Sequence, residues 1–305
     1  METTTSGHLP NVIIIGAMKA GTTSLHHYLN LHPDIQMSRQ KELNFFSENK
    51  HWKKGVEWYR SHFVGEAAIH GESSPNYTRY PFRQATAQRM AAVVPNVKLI
   101  YLVRHPIERI ISHYLHKYAE GKENKSINEA LASLDENMYV SGSQYFTQLE
   151  QYLQFFPPDN ILVVASEALS QFPQDTMMRV FQFLGVSTEF VSKAKLKGVN
   201  DFLIFGPAVA QSSFKFDQKL HQSVYKSRRR LPEDSWVLEA ITKVTALMPV
   251  EIRHHAEKVL YLPFSQRVER PTLDDDTRSR ILNYLAEDIS RLKDYAKQDF
   301  AEWQL

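Results

Sequence analysis

The chain of 305 residues contains no cysteine, which excludes a disulfide framework and a thiolate metal site. It also lacks any apolar run near the roughly 20 residues that cross a bilayer. Its polar start, METTTSGHLP, lacks the basic and apolar regions of a secretory signal. Neither sign of charge is in excess, because 36 Lys and Arg against 34 Asp and Glu leave a net charge of +2. These absences predict a cytoplasmic protein, or a domain trimmed from a longer chain, with no membrane and no nucleic-acid partner.

The chain does have enough apolar residues, 43% of the total, to bury a large core. Apolar runs typical of buried strands occupy Val12–Ile15, Ile69–Glu72, Val97–Val103 and Ile161–Ala165. Helical patterns occupy Ser24–Leu31, Phe82–Val94, Ile107–Ala119, Phe146–Phe156, Pro173–Leu184 and Leu273–Tyr295. This alternation predicts an α/β fold, a P-loop-like three-layer sandwich with a central parallel sheet flanked by helices. We expect one domain over residues 10–305, preceded by a disordered tail over residues 1–9.

The stretch Asn11–Leu25, NVIIIGAMKAGTTSL, predicts a buried strand, a loop bracketed by Gly16 and Gly21, and the first turn of a helix. Such a loop gathers backbone N–H groups at the positive end of a helix dipole, where a phosphate or related anion binds. ATP-binding P-loops place Lys-Ser or Lys-Thr directly after the second glycine. Here Thr22 follows that glycine and the lysine comes earlier, at Lys19. The pattern favours a 5′-phosphosulfate nucleotide over one clamped by lysine and Mg²⁺; the alternative without a ligand is a tight strand–helix turn.

A second candidate group follows the strand at Val97–Val103, because open parallel sheets bind ligands at the carboxyl ends of their strands. An NTPase would offer an Asp for Mg²⁺ at this point, whereas the present strand leads into Arg104, whose guanidinium suits a phosphate. Ser112, eight residues on, would lie in the second turn of a helix that starts after Pro106 and could add a hydroxyl contact. The alternative is a surface arginine with a solvent-facing serine.

The third candidate is Glu42 in the run KELNFF. A carboxylate next to an aromatic pair can be desolvated, which raises its pKa toward the range of a general base. Taken alone, the run favours the simpler interpretation, a surface glutamate beside two phenylalanines that anchor the core.

Taken together and in this order, the three groups resemble the PAPS-dependent sulfotransferases, in particular the branch of the heparan sulfate sulfotransferases and many bacterial enzymes. The matching pieces are IIIGAMKAGTTSLHHYL, KELNFF, GESSPNY, LIYLVRHPIERIISHY, QYFTQLEQYLQFFPPDNILVVASEAL, VFQFLGV and PTLDDDTRSRILNYLAEDISRLKDY, with a late Trp303. The resemblance implies 3′-phosphoadenylyl sulfate (PAPS) as cofactor, adenosine 3′,5′-bisphosphate as product, no metal, and transfer to a hydroxyl, with an amine as the other option. The lack of an apolar anchor and the modest net charge favour a small-molecule acceptor over a long polyanionic glycan.

The resemblance also implies a role for each matching residue. The 5′-phosphosulfate would be bound by Lys19, Ala20, Gly21, Thr22, Thr23 and Ser24. Arg104 and Ser112 would bind the 3′-phosphate, and Tyr145 would lie near the cofactor. Glu42 would be the catalytic base, while Lys19 would also stabilise the leaving phosphate.

Three positions depart from the family pattern. Ser73 stands where carbohydrate-modifying members often have lysine, and His105 where aspartate is common. The Lys-Gly-Arg loop that closes over the cofactor in the heparan branch has only Lys197–Asn200 as its nearest candidate.

Other interpretations remain open at this point. A P-loop kinase or NTPase acting on a small molecule is the first, and a non-catalytic nucleotide-binding protein is the second. For the acceptor, we expect the segments Ser47–Ala68 and Lys195–Gln266 to line or cover the site, with aromatic residues of the first shared between that role and the core. The basic run Lys226–Arg230 suits either steering of an anionic acceptor or a solvated helix face.

Overall fold

The computed structural model describes residues 7–82, 85–189, 225–227, 240, 243–245, 266–301 and 303. Its central sheet has five strands: β1 (Val12–Gly16), β2 (Ile35–Met37), β3 (Ile69–Ser73), β4 (Lys98–Val103) and β5 (Ile161–Ala165). Their order across the sheet is β2-β3-β1-β4-β5, and all the pairings are parallel. The predicted parallel sheet is therefore confirmed, with the short edge strand β2 as an addition.

Helices surround this sheet. The α-helices whose bounds lie within the described residues are α1 (Thr22–Asn30), α2 (Asn49–Trp52), α3 (Gly55–Arg60), α4 (Thr86–Val93), α5 (Pro106–Ala119), α6 (Ile127–Ala130), α7 (Met138–Ser141), α8 (Tyr145–Leu153), α9 (Ser166–Gln171), α10 (Pro173–Leu184) and α11 (Asp275–Ala296). Short 3₁₀ turns occupy Pro75–Tyr77 and Pro158–Asn160. The helix expected from Phe82 begins four residues later, at Thr86. By contrast, α10 has the predicted bounds and ends on Gly185, whose φ of 80° is a conformation that glycine adopts without strain.

The middle strand β1 shows why the sheet is parallel and central. Its run Val12–Ile15 is fully buried, as expected of a strand covered by helices on both faces. In the register, Ile14 lies opposite Ser73 of β3 and Ile100 of β4. The carboxyl ends of the three strands consequently lie at the same edge of the sheet, and the segments that follow the strands are neighbours.

The C-terminal helix α11 is tied to this framework by one carboxylate. Asp288 accepts hydrogen bonds from the N–H groups of Phe146 (2.9 Å) and Thr147 (2.8 Å) and from the Thr147 hydroxyl (2.8 Å). The first turn of α8 has N–H groups without intrahelical partners, so Asp288 caps that turn. Farther along the chain, the indole of Trp303 donates to Glu167 at 3.0 Å.

Several other expectations concern the edges of the described structure. Residues 1–6 of the expected tail lie outside the described residues, whereas the His8 N–H donates to the Phe63 carbonyl at 2.7 Å. Tyr225–Ser227 pairs antiparallel with Gln266–Val268. The described start of the basic run, Lys226 and Ser227, therefore lies in a strand, contrary to the helix-face alternative. Within the described part of the chain, no helix combines the length and the apolar character that spanning a membrane requires.

Candidate functional site

The three candidate groups of the sequence meet at the carboxyl edge of the sheet. The loop with Lys19 follows β1, and Arg104 follows β4, its neighbour. On the other side, the Glu42 N–H donates to the carbonyl of Ser73, the last residue of β3, at 2.9 Å. The arrangement around β1 therefore brings together residues that lie far apart in the chain.

The loop between β1 and α1 ends at a helix N-terminus that no side chain caps. Gly21 is the N-cap of α1 with φ of 93°, and no side chain caps the helix there. The Ser24 N–H donates to the Gly21 carbonyl at 3.0 Å, which leaves the N–H groups of Thr22 and Thr23 without a side-chain cap at the positive end of the helix dipole. Thr22 is buried at the start of the helix, Ser24 is half-buried and Thr23 is exposed. Ala20 is fully buried and anchors the loop beneath the helix.

Lys19 lies in this loop with a left-handed φ of 72° and a half-buried side chain. Burial lowers its pKa, and the positive charge of Arg104 lowers it further, while Glu120 and Glu42 oppose the shift. One guanidinium N–H of Arg104 donates to the Lys19 carbonyl at 3.4 Å. The two cations that the sequence assigns to opposite ends of the nucleotide are therefore neighbours.

Arg104 shares a carboxylate with a second arginine that the sequence did not reveal. Glu108 lies 3.2 Å from Arg104 Nη2 and 2.6 Å from Arg270 Nη2. Burial raises the pKa of Glu108, but Arg270 and Arg104 outweigh burial and hold the pKa below its ordinary value. Two guanidinium charges around one carboxylate leave a net positive charge next to the loop. The i, i+4 spacing of Arg104 and Glu108 was a usable signal, whereas Arg270 comes from a segment 162 residues away from Glu108.

Tyr145 is completely buried at the start of α8, and its hydroxyl is bound to the main chain of Arg104. The hydroxyl donates to the Arg104 carbonyl at 2.6 Å and accepts from the Arg104 N–H at 3.3 Å. Burial raises the pKa of Tyr145 to about 12, which keeps the hydroxyl protonated as a donor. The structure places Tyr145 where it fixes Arg104, and a direct contact with the cofactor stays a prediction.

The helix α5 carries Ser112 in its second turn, as predicted, with a buried side chain. On the same helix, Arg109 is 1% exposed and was not singled out by the sequence. Its guanidinium donates to Ser143 Oγ at 2.5 Å, to the Met18 carbonyl at 3.5 Å and to the carbonyl of Tyr139. Arg109 therefore fastens α5 to the loop that carries Lys19.

The structure contradicts the expected desolvation of Glu42 and agrees with the simpler interpretation, a surface glutamate beside two core phenylalanines, so its role as the base stays a prediction. Its carboxylate is exposed and lies 3.2 Å from the Lys41 ammonium, while Phe45 and Phe46 are fully buried. The phenylalanine pair anchors the segment in the core, and the carboxylate stays accessible to a substrate at the edge of the sheet.

The aromatic residues after Glu42 divide between the core and the surface. Tyr59 and Phe63 are buried, and Tyr59 stacks on Phe45 at 4.5 Å between ring centroids. Trp52 and Trp58 are half-buried, which makes them the aromatic residues of this segment that remain candidates for lining an acceptor site. Lys197–Asn200, the candidate closing loop, lies outside the described residues. In the described ranges, no group of three or more His, Cys, Asp and Glu side chains could hold a metal ion.

Comparisons with known proteins agree with this geometry. A family model described as "Sulfotransferase domain" matches residues 9–226. The chain is 41% identical over 123 residues to the membrane-associated sulfotransferase kil1 of Dictyostelium discoideum, which covers 39% of this chain and 25% of that protein. It is 34% identical over 192 residues to the human heparan sulfate glucosamine 3-O-sulfotransferase 5, covering 58% of this chain and 54% of that protein.

The chain thus spans between a quarter and about half of the length of these two curated relatives. Among solved structures, a sulfotransferase from Alicyclobacillus acidocaldarius is similar with a TM-score of 0.64 and 22% identity, over 98% of this chain and 100% of that one. This structural likeness supports the fold.

Proposed function

The chain belongs to the sulfotransferase domain family, and from that premise we propose that it transfers the sulfuryl group of PAPS to a hydroxyl group of a small-molecule acceptor. The observation that carries this proposal is the position of Arg104. A guanidinium stands at the end of β4, 3.4 Å from the carbonyl of Lys19 in the anion-binding loop. It offers a bidentate partner for a phosphate at the point where an NTPase would hold Mg²⁺ through an aspartate.

The 5′-phosphosulfate is assigned to the loop and to the N-terminus of α1. The residues of this subsite are Lys19, Ala20, Gly21, Thr22, Thr23 and Ser24. The uncapped first turn of α1 supplies N–H donors, and Lys19 supplies a cation beside them. The lysine charge and the backbone dipoles together provide the positive field that the step needs.

The 3′-phosphate is assigned to Arg104 and Ser112. Glu108 joins Arg104 to a second guanidinium, that of Arg270. Two arginine charges exceed the single charge of this carboxylate, so the net charge around Glu108 favours binding of a phosphate. A nucleotide with a 3′-phosphate would therefore bind in preference to ADP or ATP, which lack that group.

In the proposed reaction, Glu42 takes the proton of the acceptor hydroxyl as its oxygen attacks sulfur. The new bond joins the acceptor oxygen to sulfur, and the bond between sulfur and the bridging phosphate oxygen breaks. Adenosine 3′,5′-bisphosphate leaves with the electron pair of that bond. Lys19, whose pKa is lowered by burial and by Arg104, stabilises the negative charge that develops on the leaving oxygen.

The acceptor is proposed to be a small hydroxylated molecule, with an amine as the second option. Support comes from Ser73, a completely buried residue in the position where carbohydrate-modifying relatives often carry lysine. A serine there gives no cation to bind a sulfated or carboxylated glycan. The half-buried Trp52 and Trp58 suit a partly apolar acceptor. A cytoplasmic location stays a prediction from the sequence.

The experiment is a transfer assay with ³⁵S-labelled PAPS and a panel of sugars, phenols, aliphatic alcohols and amines, with Glu42→Gln as the inactive control. We expect labelled product with at least one class of hydroxyl and stoichiometric release of the bisphosphate, without added Mg²⁺. Phosphoryl transfer from ATP that requires Mg²⁺ would establish the kinase interpretation instead. Tight binding of PAPS with no transfer to any class would establish a nucleotide-binding protein.

A further inference from the structure

Glu72 is a completely buried carboxylate near the end of β3, next to the candidate site. It accepts three hydroxyl hydrogen bonds, from Tyr59 (2.7 Å), Tyr77 (2.7 Å) and Ser74 (2.6 Å). None of the ion pairs formed by the described residues involves it, so hydroxyl groups alone satisfy its oxygens. Burying a carboxylate without a cationic partner costs free energy of folding, and Glu72 lies beside the edge of the sheet that carries the candidate site.

Ser74 connects the Glu72 carboxylate to the loop that carries Glu42 through two hydrogen bonds. A hydroxyl has a single hydrogen, and Ser74 gives it to Glu72. The oxygen of Ser74 is thereby turned to accept the Asn44 N–H, at 3.0 Å. The Asn44 N–H can act only as a donor, which fixes the direction of its bond to Ser74, and the carboxylate of Glu72 is the acceptor of the Ser74 hydroxyl.

The segment Glu42–Asn44, which this hydrogen bond holds in place, has backbone angles in an unfavourable region. Glu42 has a φ of 62°, in the left-handed region that residues with a side chain seldom adopt. Asn44 has a φ of 51° in the same region, which asparagine adopts more readily than other such residues. Two bonds to the end of β3 oppose the strain: Glu42 N–H to the Ser73 carbonyl at 2.9 Å, and Asn44 N–H to Ser74. Within the segment, the Asn44 amide donates to the Glu42 carbonyl at 2.9 Å.

We propose that Glu72, acting through Ser74 and the Asn44 N–H, is a positioning residue that sets where the Glu42 carboxylate meets the acceptor. The inference rests on the proposed function of Glu42 as the base. A base works only within hydrogen-bonding distance of the proton that it removes. An error of about 1 Å in such a placement can cost roughly 100-fold in rate, so the strained loop needs a rigid support.

Two variants separate positioning from a purely structural role. Ser74→Ala and Tyr59→Phe each remove one hydroxyl donor from Glu72, but only the first removes the acceptor of the Asn44 N–H. We expect Ser74→Ala to lower kcat by on the order of 10- to 100-fold with an unchanged KM for PAPS. Tyr59→Phe, which removes a donor from Glu72 but leaves the bond between Asn44 and Ser74 intact, should keep its turnover. Ser74→Thr retains a hydroxyl on a backbone of φ −130°, which suits a β-branched residue, and should restore kcat.

Amide hydrogen exchange at Asn44 gives a readout that does not depend on catalysis. We expect faster exchange at Asn44 in Ser74→Ala than in Tyr59→Phe or Ser74→Thr, after correction for global stability. Equal loss of turnover in Ser74→Ala and Tyr59→Phe, or unchanged Asn44 exchange in Ser74→Ala, would overturn the positioning role while the sulfotransfer proposal stands. Wild-type turnover in Glu42→Gln would overturn the base assignment itself, and with it this role in catalysis.

Discussion

The hydroxyl of Tyr145 makes two hydrogen bonds to the main chain of Arg104, donating to its carbonyl at 2.6 Å and accepting from its N–H at 3.3 Å. The helix that carries Tyr145 is capped in turn by Asp288 of the C-terminal helix. A chain of contacts therefore leads from the C-terminal helix to the guanidinium that is proposed to bind the 3′-phosphate.

Tyr145→Phe tests this relationship. The variant keeps the ring in its buried site but leaves the Arg104 carbonyl without its donor, which costs about 1–3 kcal/mol of stability. We expect a lower melting temperature and a smaller preference for the 3′-phosphorylated nucleotide over ADP. Calorimetric titration of both nucleotides measures the effect, and an unchanged preference would show that Tyr145 does not position Arg104.

Arg104→Ala removes the guanidinium itself. Hydrogen bonds to charged groups contribute about 1.5–3 kcal/mol each, so the affinity for adenosine 3′,5′-bisphosphate should fall roughly 10- to 150-fold. The affinity for ADP, which has no 3′-phosphate, should change little. Equal losses for the two nucleotides would contradict the assignment of the 3′-phosphate to Arg104.

Glu42→Gln keeps the size of the side chain and removes its basicity. Loss of a general base costs on the order of 100- to 10,000-fold in rate, so kcat should fall by that factor while PAPS affinity stays the same. Single-turnover transfer from labelled PAPS is the direct measurement. If the variant turns over at the wild-type rate, another group is the base, and His105, which follows β4 at the carboxyl edge of the sheet, is the next to replace.

The buried side chain of His113 is expected to make the stability of the protein depend on pH. Burial, reinforced by the charge of Arg109, lowers its pKa to about 2, and neither ring nitrogen has a hydrogen-bond partner in the described structure. The unfolded chain takes up a proton near the ordinary pKa of 6.5 and the folded protein does not. The unfolded state thus binds more protons, and the free energy of unfolding falls as the pH drops below that value.

The size of this effect is about 1.4 kcal/mol per pH unit. His113→Leu should flatten the dependence by that amount between about pH 5 and pH 6.5. Urea unfolding at several pH values gives the slope, and the same slope in both proteins would mean that His113 is protonated in the folded state.

The sequence predicted the sheet well because its strongest strands are uninterrupted apolar runs. The run at Ile161–Ala165 became β5 with the predicted bounds, since a strand buried on both faces needs apolar residues at every position. The edge strand β2 was missed, because three residues, IQM, are too short for a recognisable period. The start of α4 was predicted four residues too early, because the helical pattern of the sequence begins at Phe82 whereas the helix begins at Thr86.

The candidate site was predictable only where one segment carries the chemistry. Lys19 and Arg104 each belong to a local motif, and the structure places them side by side. The bridge from Glu108 to Arg270, by contrast, joins segments 162 residues apart. The hydroxyls around Glu72 likewise meet only after β3 has formed, so no spacing in the sequence could reveal them.

The measurement that tests the central claim most directly is calorimetric titration of the protein with adenosine 3′,5′-bisphosphate, ADP and ATP with Mg²⁺. The account predicts binding of the bisphosphate at micromolar concentration or tighter, with much weaker binding of ADP and of ATP with Mg²⁺. Preferential binding of ATP with Mg²⁺ would contradict it, because the site would then recognise the triphosphate and its metal rather than the 3′-phosphate that Arg104 is proposed to hold.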